Sequence, residues 1–226
     1  MLADNALTTL ERAKLMLGLT EEDTGGTGDT GETEEGVKAD KMTDEMVALL
    51  INRASALIER QIGRHLGRCQ YHQWYDADGS QELVVEEYPI VNVDFVKEDG
   101  KLVDPRCYDY GQTGAIGVIY RDDGWLKAGY RRGLAYDIIA SKRVIEVSYS
   151  AGYVLPKDAT EDDPQTLPAD LEGLVWDMVS QMYTSLQNGS RGLASFSISD
   201  VTWKFDKETP KSWMQVINLY RRYGIG

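Results

Sequence analysis

Apolar residues recur at a helical spacing in four stretches of the chain. The first stretch runs from about Thr8 to Leu17, and the second from about Thr43 to Leu66. The third begins at Pro168 and reaches about Asn188, and the last runs from Pro210 through Tyr223. Side chains three and four positions apart share one face of a helix, so each stretch predicts an amphipathic helix with an apolar face to bury.

Capping residues support the limits of the first two helices. Thr8 and Glu11 have the spacing of a capping box, and Gly18 is a suitable C-terminal stop. Thr43 stands where it can cap the second helix. Both helices are therefore predicted to begin at a threonine.

Between the second and third helices the apolar pattern changes to a period of two. Residues 69–75 and 81–85 alternate on either side of Asp76-Ala77-Asp78-Gly79, which predicts a β-hairpin. Further strands are predicted at 90–97, 116–121, 143–149 and 196–205, and Glu98-Asp99-Gly100-Lys101 is predicted to form the turn after the strand at 90–97. Helices at both ends and strands between them indicate an α+β fold, with a helical bundle core and an inserted antiparallel β subdomain.

The length of 226 residues suits a single domain. We predict one domain over residues 1–226, with a helical core at 1–67 and 168–226 and a β insertion at 69–151. A loop at 20–42 separates the first two helices. Residues 21–36 of this loop are all Glu, Asp, Gly or Thr, so there is no apolar side chain to anchor them and the loop is predicted to be mobile. Its acidic residues in this stretch are Glu21, Glu22, Asp23, Asp29, Glu32, Glu34 and Glu35.

The charge of the chain argues against a tight grip on nucleic acid. The formal net charge is −13, and residues 1–45 hold 4 Lys/Arg against 12 Asp/Glu, a net −8. Clustered cations are what bind the phosphate backbone, so we expect no tight binding of DNA. No apolar run is long enough to span a bilayer, and the N-terminus does not resemble a signal peptide, so no membrane is expected and Cys69 and Cys107 are predicted to be reduced thiols.

Candidate chemistry along the chain is sparse. His65, Cys69 and His72 lie close in sequence, with Cys107 further on, but a period of two points Cys69 and His72 to opposite faces of a strand. These are the chain's two histidines, and there is no G-x-S-x-G or H-E-x-x-H motif. No catalytic residue, metal site or cofactor is predicted, and an enzyme is not expected.

Six stretches in order carry a family resemblance. They are LTTLERAKLMLGL at 7–19, LLINRASALIERQIGRHLG at 49–67, YPI at 88–90, VSYSAGY at 147–153, LPADLEGLVWDMVSQMY at 167–183 and YRRYG at 220–224. Together they resemble the head–tail connector (adaptor, or head completion) proteins of tailed bacteriophages. The chain departs from that pattern in the long acidic loop and in residues 101–143, which exceed the compact members.

The resemblance implies a structural part of the virion neck, assembled in the host bacterial cytoplasm. Such proteins form a ring of about twelve subunits below the portal, extend the DNA channel and receive the next neck or tail-completion protein. Packaged DNA would pass through without tight binding, and the acidic loop would face solvent or the channel. The inserted strands and the helix from Pro168 are expected to form the ring contact.

The resemblance also implies that the C-terminal helix docks on the portal. The residues expected to do so are Trp213, Tyr220, Arg221, Arg222 and Tyr223. Two other interpretations of the sequence stay open at this stage. One is an acidic protein-interaction module unrelated to phage, and the other is a hydrolase that uses Asp or Glu side chains.

Overall fold

A computed structural model describes residues 1–19, 43–76, 78–126, 144–188 and 210–221. Within these ranges the helices are α1 (Leu10–Leu17), α2 (Asp44–Ile62), α3 (Ala169–Asn188) and α4 (Lys211–Tyr220). The strands are β1 (Cys69–Tyr75), β2 (Glu82–Val84), β3 (Ile90–Glu98), β4 (Lys101–Leu102), β5 (Val118–Tyr120) and β6 (Ile145–Ala151). The predicted α+β class, with helices at both ends and antiparallel strands between them, is confirmed.

The chain divides into two compact units. The helical unit comprises Met1–Gly63 and Val154–Gly226, and the sheet unit comprises Arg64–Tyr153. That the two fold as one domain stays a prediction. The acidic loop, the predicted strand at 196–205 and most of the long connection between β5 and β6 lie outside the described residues.

Local capping chemistry sets the ends of the first two helices. Thr9, and not the predicted Thr8, caps α1, because its hydroxyl accepts a hydrogen bond from the Arg12 amide at 3.3 Å. Gly18 ends α1 in the left-handed conformation, with φ 68°. Thr43 caps α2 as predicted, but α2 ends at Gly63, earlier than the predicted Leu66.

The core of the helical unit lies where α2 and α3 contact each other and both α1 and α4. The buried face of α2 is centred on Val47, Ile51, Ala54, Ile58 and Ile62. On α3 the aliphatic side chains at helical spacing are buried, except for Leu186, which is partly exposed. The buried ones are Leu171, Leu174, Val175, Met178, Val179 and Met182. The apolar stripes predicted from the 3.6-residue period therefore form this core.

The strands form an antiparallel sheet in the order β1-β6-β3-β4 and a separate β2-β5 pair. The predicted hairpin between 69–75 and 81–85 is wrong. Instead, β1 pairs with β6 along its whole length, from Cys69 opposite Ala151 to Tyr75 opposite Ile145, and β2 pairs with β5. Pairing with β6 places Tyr75 beside the buried Ile145 and brings it within hydrogen-bonding distance of Tyr149, and this non-local burial outweighs the local turn signal of Asp78-Gly79.

The turn between β3 and β4 follows the sequence signal. Residues 98–101 form a two-residue hairpin loop in which Asp99 and Gly100 both have positive φ, 50° and 74°. The inner face of the sheet is apolar, with Val96, Val147 and Tyr149 fully buried. None of the helices in the described ranges is both long and apolar enough to cross a membrane.

Candidate interaction surfaces

Of the five predicted docking residues at the C-terminus, one is buried, two stand at the surface and two lie outside the described residues. Trp213 is only 5% exposed, because it lies with Ile217 on the face of α4 that packs in the helical unit. The indole is therefore part of the core of the helical unit. Trp213 was predicted to dock on the portal, and in this structure its burial leaves little of its surface for a partner. Arg222 and Tyr223 lie outside the described residues.

Tyr220 and Arg221 stand at the surface, at the end of α4. The Tyr220 hydroxyl lies 2.8 Å and 3.0 Å from the two carboxylate oxygens of Asp170, to which it donates. Arg221 is exposed, and its Nε donates to the Gln61 carbonyl at 3.4 Å. These contacts hold the end of α4 against the start of α3 and the end of α2.

A polar cluster around Glu172 was missed by the sequence analysis. Glu172 is buried, yet it accepts hydrogen bonds from Thr8 Oγ1 at 2.9 Å and Gln165 Nε2 at 3.0 Å. Arg12 Nη1 lies 2.9 Å from the same carboxylate, and Trp176 Nε1 donates to the Thr8 hydroxyl. The cluster joins the N-terminal segment, α1 and α3. A glutamate inside the apolar run 171–175 is the signal that could have indicated it.

The outer face of the four-stranded sheet carries a group of aromatic rings. His72 stacks on Trp74 with ring centroids 4.5 Å apart and meets the edge of Phe95 at 5.8 Å. The Lys97 ammonium lies 4.5 Å from the centre of the Phe95 ring, within reach of a cation–π contact. Trp74 is 50% exposed. Large aromatic side chains fixed at a surface are typical of protein interfaces.

Three of the titratable groups on this face, Glu146, His72 and Lys97, contact one another. Glu146 Oε1 lies 2.7 Å from His72 Nε2 and 3.1 Å from Lys97 Nζ. These hydrogen bonds, first that of His72 and then that of Lys97, hold the pKa of the Glu146 carboxyl below its ordinary value. Nearby, Asp94 accepts hydrogen bonds from Ser148 at 2.9 Å and from Asn92 at 2.8 Å, as well as from Gln70.

An apolar surface is also exposed on the first two helices. Leu15 and Met16 of α1 are 79% and 56% exposed, and Leu49 of α2 is 42% exposed. The end of α1 and the start of α2 are joined by an ion pair of 2.5 Å between Lys14 and Asp44. The exposed positions of α3 are different, since they are mostly polar: Asp170, Asp177, Ser180, Gln181 and Thr184. The inserted strands and α3 were both expected to form the ring contact. Of these two, the strands expose the larger aromatic side chains, while the exposed side of α3 is mostly polar.

The candidate metal ligands do not come together. Among the residues that the structure describes, no three His, Cys, Asp or Glu side chains are grouped as metal ligands would be. Cys69 and Cys107 are exposed free thiols, and His72 is engaged by Glu146 and Trp74.

The described residues thus comprise a helical unit and an antiparallel sheet with exposed aromatic and apolar side chains, and with no grouped metal ligands among them. The chain belongs to the head completion protein family, whose model matches residues 35–223. It is therefore a structural protein of a bacteriophage virion, at the head–tail neck, as the resemblance implied.

The chain is similar to solved structures at low sequence identity, and the first of them shows the same overall fold. A chain from the neck of an empty gene transfer agent particle, computed with C6 symmetry, has a TM-score of 0.51 and 13% identity, and the match covers 100% of this chain and 95% of that one. A chain from the neck of the native particle, computed with C12 symmetry, has a TM-score of 0.47 and 14% identity over 80% and 84%. A chain from the native virion has a TM-score of 0.46 and 14% identity over 100% and 95%. No curated protein matches the chain.

Proposed function

We propose that this chain assembles into a ring below the portal of a tailed phage, extends the DNA channel and joins head to tail. The observation that carries the proposal is the family match over residues 35–223, which spans both compact units. A ring of about twelve copies would suit a portal-bound adaptor. The expected partners are further copies of the chain, the portal, and a downstream neck or tail-completion protein.

The proposed role is passive toward DNA and needs no catalysis or cofactor. The net charge of −13 supports it, because a conduit must let a polyanion slide without gripping it. Electron microscopy of the purified chain with and without portal tests the ring directly. Rings seen with portal support the proposal. If the chain stays monomeric with portal, or retards duplex DNA at sub-micromolar concentration in physiological salt, the proposal is wrong.

The end of α4 and the residues after it are the proposed portal-docking element. Tyr220 and Arg221 are held at the surface by Asp170 and Gln61, and Arg222 and Tyr223 follow directly. Arginine and tyrosine are favoured where interfaces carry most of their binding energy, and arginine pairs well with carboxylates. Trp213 contributes from inside the helical unit, where it anchors α4.

A truncation after Arg221 separates docking from folding. Removing residues 222–226 leaves the Tyr220–Asp170 and Arg221–Gln61 contacts in place, so the truncated chain should fold and yet fail to bind portal. Replacing Arg221 and Arg222 by Glu should weaken docking more at low salt than at high salt. Lys211→Glu, at the exposed start of the same helix, is the matched control and should bind normally. If the truncated chain binds portal with unchanged affinity, docking lies elsewhere.

A further inference from the structure

We draw no further inference here: the strongest candidate, the basic segment 127–143 of the sheet unit, whose flanking residues Leu126 and Val144 are both hydrogen-bonded to the β3–β4 turn at Glu98 and Asp99, lies outside the described residues, so nothing in the structure shows what its cations contact.

Discussion

Removal of the Glu172 carboxylate should destabilise the helical unit substantially. This side chain is buried, and its oxygens accept hydrogen bonds from the N-terminal segment and from the connection that precedes α3. Glu172→Ala deletes all of them at once. The fully buried hydroxyl of Thr8 then loses the acceptor of its proton, while its oxygen still accepts the Trp176 indole N–H.

The expected cost follows from these contacts. The Thr8 and Gln165 hydrogen bonds to a charged acceptor account for roughly 2–3 kcal/mol, and the stranded Thr8 hydroxyl adds about 1 kcal/mol. The ion pair with Arg12 adds only about 0.5 kcal/mol, since the Arg12 side chain is half exposed. The sum is about 4 kcal/mol, which corresponds to a fall in Tm of roughly 10 °C for a chain of this size. Glu172→Gln keeps an acceptor and should cost about 1.5 kcal/mol.

Urea unfolding followed by circular dichroism measures these differences, provided that the transition is a single one. Asp177→Ala, at an exposed position of the same helix, is the control and should stay within about 0.5 kcal/mol of the wild type. In a double-mutant cycle, Thr8→Val and Glu172→Ala should be non-additive by about 1 kcal/mol or more. A cost below about 1 kcal/mol for Glu172→Ala, or full additivity, would refute the reasoning.

Three further substitutions have clear expected outcomes. Gly152→Ala should destabilise by about 3 kcal/mol or more, because φ is 108° and the new Cβ would lie 2.5 Å from the Gly67 carbonyl oxygen; a Tm near that of the wild type would contradict this. Gly173→Ala, in α3, where the new Cβ would have no atom within 4 Å apart from its chain neighbours and the backbone of its own helix, should instead stabilise by about 0.5–1 kcal/mol in the same assay. Burial raises the pKa of the Tyr149 phenol above its ordinary 10.0, so its neutral form stabilises the fold below pH 10 and this contribution is lost as pH rises further. Tyr149→Phe should be less stable than the wild type at pH 7, because the Glu87 amide loses its acceptor. Between pH 10 and 11.5 the variant should lose less stability than the wild type in urea titrations, because it has no phenol at this position to ionise.

Features governed by neighbouring residues were predicted from the sequence. Thr43 caps α2 and Gly18 ends α1 because both effects depend on backbone groups within four residues. The turn at Asp99-Gly100 was found for the same reason. The capping threonine of α1 was misplaced by one position. Thr8 was chosen for its capping-box spacing to Glu11, but its hydroxyl donates to Glu172, 164 positions away, and Thr9 caps the helix.

The sequence by itself determined the α+β class, the apolar faces of the helices and the family. The reason is that the spacing of apolar residues and the order of short motifs can be obtained directly from the sequence. The tertiary structure decided which strands pair, which aromatic side chains are buried and where charges meet. β1 joins β6 across about 75 positions, Trp213 packs inside the helical unit while Trp74 stands on the sheet surface, and Glu172 gathers donors from three segments. Each of these outcomes depends on burial and pairing between residues far apart in sequence, for which no local pattern carries a signal.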